Sequence, residues 1–394
     1  MGWKFWQNAA RGRSGARRAT GGAETVKASA MRPAMARVGP DSALATPRRL
    51  DSLAREGFQG NVVAYRAVML VARGVASVPL RLMRGDHPVT AHPLLALLDQ
   101  PNPRMDRQAF LTTLAGHHLI AGNGYALAVG PHRARPHELW TLRPDSMKVI
   151  PGAGGIPAGY EQTVAAARRR FAPGDVLHWR TFNPLSDWYG LAPLEPAAGS
   201  IDVHNEGGRW NLALIQNGGT PSGVLYQAGQ EAGLSAEQVA DLRQQVEDRV
   251  SGPDNAGRPL LLEGGLQWQE TGLSPKDMDW QGAKTMAARE IAMAFGVPPQ
   301  VLGLPDSQTF SNYAQARQSL WEDTILPLAG DMVSQLNRWL VPRFDGDLRL
   351  EADTDAIPAL EPRRGDRFKR IAEADFLTDR EKRVALGYPP EPLD

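Results

Sequence analysis

Between residues 311 and 342, apolar side chains recur every three or four positions, at Tyr313, Leu320, Leu328, Met332, Leu336 and Trp339. That spacing predicts one long amphipathic helix. About thirty residues at ~1.5 Å each make a rod of ~45 Å, comparable with the diameter of a compact chain of 394 residues. Everything else in the chain has to be arranged around this spine. Pro327 sits midway along it, has no N–H to donate and crowds the carbonyl four residues back, so a kink is expected there.

The region before the spine has a different pattern. Val63, Ala67, Leu70, Val71, Gly74, Val75 and Val78 mark a helix that Pro79 ends. A strand is expected at 80–84, a short helix opens at His92-Pro93, and Asp106 is placed to cap a helix that stops at Gly122. Short strands are expected at 125–129, 138–142, 147–150 and 176–180, separated by Gly/Pro turns. Helices grouped ahead of strands define an α+β class.

A helix fits 194–217, although Gly207 and Gly208 lie inside it and cost roughly 1 kcal/mol each relative to alanine. Close approach of a neighbouring helix, or a bend, would give a physical reason for them. A compact β-α-β-β unit follows, with a strand at 223–227 and a capping box at Ser235 and Gln238. Its hairpin pairs 259–262 with 266–270 around Gly264-Gly265. At about fifty residues this unit is too small to be comfortable alone and needs a neighbour. Ser274-Pro275 then reads as the start of a further helix that Gly296 and Pro298-Pro299 end. Beyond residue 353 a small charged helical segment leads into a Pro-rich end.

Charge is uneven. Lys plus Arg total 44 against 43 Asp plus Glu, but residues 1–50 carry a net +8 and the remaining 344 a net −7. Pro33, Pro40 and several glycines make the N-terminal stretch a disordered basic tail rather than an amphipathic helix. The absence of cysteine excludes disulfides, thiolate metal sites and a cysteine nucleophile. The longest apolar stretch, 62–72, is interrupted by Arg66 and falls far short of the ~20 residues of a membrane span.

Catalytic patterns are not met. His87 with His92, and His132 with His137, lie in Pro-containing segments, and the adjacent His117 and His118 face different ways on a helix. The histidines therefore read as satisfied core or solvent-facing groups rather than metal ligands. Gly282-Ala-Lys-Thr285 ends like a phosphate loop, but Asp277 stands where the first glycine belongs. No Gly-x-Ser-x-Gly elbow occurs. The run Arg168, Arg169, Arg170 reads as a solvated edge or a subunit contact rather than a DNA clamp.

Eight separated pieces, in order, carry a family resemblance. They are Gly74-Val-Ala-Ser-Val-Pro-Leu80, His92-Pro-Leu-Leu with Gln100-Pro-Asn-Pro103, Gly122-Asn-Gly-Tyr-Ala126 and Leu142-Arg-Pro-Asp145. Tyr189-Gly-Leu-Ala-Pro-Leu194, Asn217-Gly-Gly-Thr-Pro-Ser-Gly-Val224, Ile291-Ala-Met-Ala-Phe-Gly-Val-Pro-Pro299 and Phe310-Ser-Asn312 follow. Over about 57–342 the chain resembles the portal proteins of tailed bacteriophages and the related gene transfer agents.

The resemblance implies a portal-type fold and a ring, usually of twelve subunits, at one capsid vertex. It divides the chain into a basic tail (1–56), an α/β wing (57–193), a stem helix (194–219), a clip (220–273) and a second stem helix (274–299). A tunnel-loop region (300–312), the spine helix with more wing (313–354) and a crown segment (355–394) complete it. Gln308, Thr309 and Phe310 would lie nearest DNA in the channel. Lys276, Lys284 and Arg289 are candidate channel charge rings, equally able to pair with Asp277, Asp279 or Glu290 between subunits. Val239, Arg243 and Trp268 are the candidate clip contacts. The implied partners are further copies of the chain, double-stranded DNA, the terminase large subunit, a head–tail adaptor and the major capsid protein. No cofactor, metal, membrane or catalysis is implied. Two other readings stand beside this one: a ring-forming adaptor without DNA passage, and a metal-dependent hydrolase.

Overall fold

The computed structural model describes residues 50–130, 135–216, 223–227, 235, 237, 240–241, 244, 266–270, 279–304, 310–344 and 346–388. Helix α1 (Val62–Ser77) starts where the sequence expects and has a clear cause. The Asn61 carboxamide oxygen accepts from the backbone N–H groups of Val63 and Ala64, each at 3.0 Å. One face of α1, from Ala64 through Ala67, Val68, Val71 and Ala72 to Val75, is fully buried.

Strand β1 (Leu80–Arg84) turns at Gly85 into β2 (His87–Val89). Helices α2 (Pro93–Asp99) and α3 (Arg107–Ala121) follow, the second capped by Asp106, whose carboxylate accepts from Ala109 N–H at 2.8 Å. Gly122 ends α3 at φ +67°, a conformation that favours glycine. Next come β3 (Asn123–Val129), β4 (Glu138–Leu142), β5 (Met147–Pro151), β6 (Pro157–Val164), β7 (Ala167–Phe171) and β8 (Val176–Arg180). They form two antiparallel sheets, ordered β4–β3–β8 and β5–β6–β7. Strands β6 and β7 were not anticipated, because their charged and small residues lack an apolar alternation.

Helix α4 (Ala198–Gln216) is the expected long helix of the middle region, starting a turn later than residue 194. Strands β9 (Gly223–Gln227) and β10 (Leu266–Glu270) pair antiparallel, with Leu225 opposite Trp268. Between them Glu237, Ala240, Asp241 and Gln244 are helical and exposed, in the segment where a capped helix is expected. The expected strand at 259–262 lies outside the described residues.

Helix α5 spans Trp280–Ala294; the expected start at Ser274-Pro275 lies outside the described residues. Asp279, at φ +43° and ψ +41°, is left-handed, and its carboxylate accepts from Gly282 N–H at 3.3 Å. A left-handed residue cannot continue an α-helix, so the described helix begins after it.

The spine is built as α6 (Phe310–Ser319), a wide π-turn over Leu320–Ile325, and α7 (Leu326–Trp339). The backbone answers Pro327 one turn early. Leu326 N–H donates five residues back to Trp321 rather than four. That π-register absorbs the missing donor and the ring's clash with the preceding turn. After α7 the chain returns as β11 (Leu348–Ala352), another strand not anticipated, which pairs with β1 and gives the order β11–β1–β2.

The main core gathers α1, α3, α4, α5 and the spine around residues such as Phe110, Leu111, Leu114, Trp179, Ile291 and Leu336. A smaller core of Tyr125, Leu127, Leu142, Met147, Val149, Tyr160, Phe171 and Val176 lies between the β4–β3–β8 and β5–β6–β7 sheets. Helices α8 (Glu361–Ala372) and α9 (Asp379–Ala385) bury no residue. Polar contacts hold α8: Arg363 to Glu322 at 2.8 Å, Arg364 to the Asp355 carbonyl at 2.5 Å, and Arg367 to the Ala385 carbonyl at 2.6 Å.

Candidate functional site

Helices α4 and α5 lie against each other and run antiparallel. Ser200 near the start of α4 donates to Glu290 near the end of α5 at 2.5 Å, while Trp210 and Trp280 stack at the other end with centroids 5.4 Å apart. Gly207 and Gly208 face this neighbour, as one of the two physical reasons for them required. A Cβ on Gly207 would lie 3.9 Å from the Trp280 ring, and one on Gly208 3.7 Å from the Lys284 ammonium nitrogen. Both are ordinary contact distances, so the approach is close without excluding a methyl group.

This geometry decides where the candidate cations sit. Lys284 is half-buried on the α4 side of α5, beside Gly208. The His204 imidazole is held below its ordinary pKa first by burial and then by the Lys284 charge. Lys284 therefore lies against α4 within the subunit. Arg289 is half-buried on the same helix. Two of the three carboxylates expected to pair between subunits already have uses inside the chain, since Asp279 caps α5 and Glu290 accepts from Ser200. Lys276 and Asp277 lie outside the described residues. The outward faces of the pair carry exposed apolar side chains, Val203, Leu212 and Ile215 on α4 and Met286 and Met293 on α5, among charged ones such as Glu206 and Glu290.

A buried polar junction ties this helix pair to the body. The Asn61 side chain, 1% exposed, caps α1 with its oxygen and donates from Nδ2 to Asn205 Oδ1 at 2.9 Å; the same nitrogen lies 3.2 Å from His204 Nδ1. Asn205 in turn donates to the Glu56 carbonyl at 3.0 Å, and Arg209 reaches the Glu56 carboxylate at 3.4 Å. The sequence carried a signal for Asn61, an N-cap residue directly before an apolar-periodic run, but none for its partners some 140 residues away.

The end of α5 is a Schellman stop. Gly296, at φ +63°, donates to Met293 O, and Val297 donates to Ala292 O, both at 2.9 Å. Thr324, in the π-turn of the spine, donates to the Gly296 carbonyl at 2.6 Å. A single helical turn, Pro299–Leu302, then leads to Gly303 at φ +79°. Gln308 and Thr309 lie outside the described residues. Phe310 is the first residue of α6, so the expected tunnel-loop region of 300–312 is helical at both ends. Val239 and Arg243 also lie outside the described residues, and of Trp268 the backbone alone is placed, within β10.

Two sequence pieces far apart along the chain close on each other here. Asn123, 6% exposed, accepts on Oδ1 from Gly190 N–H at 2.9 Å and lies 2.9 Å from His178 Nε2; its Nδ2 donates to the Ala121 carbonyl at 2.7 Å. Gly122 and Gly190 touch backbone to backbone, and a Cβ on Gly190 would come within 2.1 Å of the Gly122 carbonyl oxygen. The Gly-Asn-Gly-Tyr-Ala and Tyr-Gly-Leu-Ala-Pro-Leu segments therefore form one joint. Asn102 makes a third fixed point, donating to the Leu139 carbonyl at 2.8 Å.

Histidines near this joint are core groups. Burial holds His118 at about 4, its ring stacked 3.8 Å from Trp179, and His178 at about 3, stacked 4.4 Å from Tyr125. Trp179 donates to Asp331 on α7 at 2.6 Å. Among the described residues no three His, Asp or Glu side chains converge as a metal site, and no helix is long and apolar enough to cross a membrane.

Antiparallel helices projecting from an α/β body, with a small strand pair between them and a bent spine behind, define a portal-type subunit. The chain belongs to the phage portal protein family, whose model matches residues 62–387. It is 42% identical to a chain in the neck of an empty gene transfer agent particle computed with C6 symmetry, covering 88% of this chain and 95% of that one with a TM-score of 0.71. A chain in the neck of the native particle, computed with C12 symmetry, is likewise 42% identical, with 87% and 94% covered and a TM-score of 0.68. The portal protein of Enterobacteria phage HK97 is 25% identical over 344 residues, 83% of this chain and 78% of that protein.

Proposed function

We propose that the chain is the portal subunit of a phage or gene transfer agent particle, assembling as a ring of twelve at one capsid vertex and conducting double-stranded DNA. The observation that carries this reading is the 42% identity, over 88% of the chain, to a subunit of a gene transfer agent neck. Its relative in the native particle was computed with C12 symmetry, which supports twelve copies. The terminase large subunit, a head–tail adaptor and the major capsid protein are the partners that such a ring engages in turn.

The physical chemistry fits a conduit. Each cation that neutralises a phosphate adds a salt-dependent affinity, and a ring multiplies it by the number of subunits. A DNA-lining wall must therefore offer few free cations. Residues 51–394 carry a net −7, and Lys284 is turned against α4. The exposed apolar side chains of α4 and α5 suit packing against the same helices of neighbouring subunits. Such a ring works by assembly and not by turnover: the described core histidines are held neutral by burial, and the family is a structural one. In this reading 57–193 and the spine form the wing, α4 and α5 the stem, β9 and β10 with the segment between them the clip, and α8 and α9 the crown. The tunnel loop lies within 300–312.

Electron microscopy of the purified chain tests this directly. The expected image is an axial ring with a central hole about as wide as B-DNA. A compact monomer that stays monomeric at high concentration would end the proposal. A chain lacking 303–311 should still form rings but fail to package or retain DNA; loss of the ring instead would mean that these residues serve assembly.

A further inference from the structure

Strand alternation splits the arginine run of β7. Arg169 lies on the side of Phe171, its guanidinium 5.1 Å from that ring, and is itself exposed. Arg168 and Arg170 point to the other side and are exposed. The register extends that open face. Arg170 is opposite Glu161 on β6, Glu161 is opposite Lys148 on β5, and Arg168 is opposite Thr163. A cross-strand row of Lys148, Glu161 and Arg170 thus has the second arginine beside it, giving three cations and one carboxylate. Glu161 is engaged by Arg170 at 3.1 Å. Among the described residues neither Lys148 nor Arg168 has an ion-pair or hydrogen-bond partner.

We infer that this open face of the β5–β6–β7 sheet binds the phosphate backbone of double-stranded DNA outside the channel, without sequence preference. The inference rests on the portal reading, which puts packaged DNA within reach of the subunit's outer surfaces. Two observations favour nucleic acid over an acidic protein. Arg168 and Arg170, two apart on β7, are separated by ~6.8 Å, close to the spacing of successive phosphates along one nucleic-acid strand, with Arg170 also holding Glu161. The face also offers no exposed large apolar side chain of the kind that anchors a protein interface, while charged donors on a rigid sheet are what backbone contacts require. A channel wall has to let DNA slide, whereas a contact outside it is free to hold.

The test uses the full-length chain and random-sequence duplex DNA, with binding measured across a salt series. The double variant Lys148→Gln, Arg168→Gln should make the slope of log K against log[salt] shallower by roughly 2, from the loss of two phosphate contacts. The basic N-terminal stretch contributes equally to both proteins, so the difference belongs to the face. An unchanged slope overturns the inference. Amine-reactive labelling of the wild-type chain gives a second reading that needs no variant: duplex DNA should protect Lys148 while Lys369 on α8 stays reactive. Protection by polyglutamate but not by DNA would assign the face to a protein partner, and protection in DNA-free rings would make it a subunit contact; either result overturns the inference. Imaging the same preparations separates this failure from that of the portal reading, because rings persist in the first case and are absent in the second.

Discussion

Gly74 of α1 lies directly beneath Ile325 of the spine: a Cβ at position 74 would stand 2.5 Å from the isoleucine Cδ1 and 3.0 Å from its Cγ1. Ile325 is the last residue of the π-turn and is itself buried. The widened turn and the missing side chain therefore meet at one crossing, where the first helix and the spine come closer than two ordinary residues permit. Gly74→Ala should destabilise the chain by about 1–3 kcal/mol through overpacking, in spite of the gain in helix propensity. Ile325→Val, which removes the clashing methyl, should recover part of that loss in the double variant. Urea midpoints of the two single variants and the double variant measure the coupling, and strict additivity would show that the contact is not limiting.

The same substitution two helices away should have the opposite sign. Gly208 has 3.7 Å between a built Cβ and the flexible end of Lys284, so alanine there meets no fixed atom. Gly208→Ala should raise the stability of the unassembled chain by up to ~1 kcal/mol, since glycine in a helix interior costs that much. Rings should still form. A more stable chain that no longer assembled would show that a second copy crosses α4 at this glycine.

Asn61 is where the helix pair is fastened to the body, and its two ends do different work. Asn61→Ala removes the α1 cap and takes the Nδ2 donor away from the half-buried Asn205 Oδ1, for an expected loss of about 2–3 kcal/mol. Asn61→Asp keeps an oxygen for the cap but loses the Nδ2 donor, and should fall between wild type and alanine. Equal losses for the two variants, in thermal or urea unfolding, would mean that the bridge to α4 contributes nothing beyond the cap.

Much of this architecture was readable because helix ends are local chemistry. Asp106, Gly122 and Gly296 announce a start and two stops within a few residues of where the structure puts them. The spine was readable from its period, and Pro327 from its missing donor. The wide turn that accommodates it was not, because a π-register depends on what packs against the helix as well as on the proline. Strands β6 and β7 are not legible for want of apolar alternation, which tertiary pairing replaces; β11 does alternate, at Leu348, Leu350 and Ala352, but over only five residues. The candidate cations show the limit most clearly. That Lys284 belongs on α5 is a sequence statement; that it turns towards Gly208 depends on which face of α5 meets α4. The Asn123–Gly190 joint was present as two separate motifs, and only folding made them one.

Acid should weaken the body through its core histidines. His118 and His178 have folded-state pKa values of about 4 and about 3, against ~6.5 for an unfolded histidine, because burial disfavours the charged ring. Below pH ~6.5 the unfolded chain binds protons that the folded chain refuses, so stability is complete above that pH and falls as pH drops towards 4. At pH 4 the difference between the folded and unfolded pKa values corresponds to roughly 3 kcal/mol for each ring. His118 also stacks on Trp179, which is bonded to Asp331 of the spine, so protonation strains the joint between the β4–β3–β8 sheet and α7. Urea unfolding of the wild-type chain at pH 7.5 and pH 4.5 should show the loss, and His118→Gln should be less stable at pH 7.5 but flatter with pH. A wild-type profile equally flat across that interval would show that these rings take up protons in the fold as readily as in the open chain.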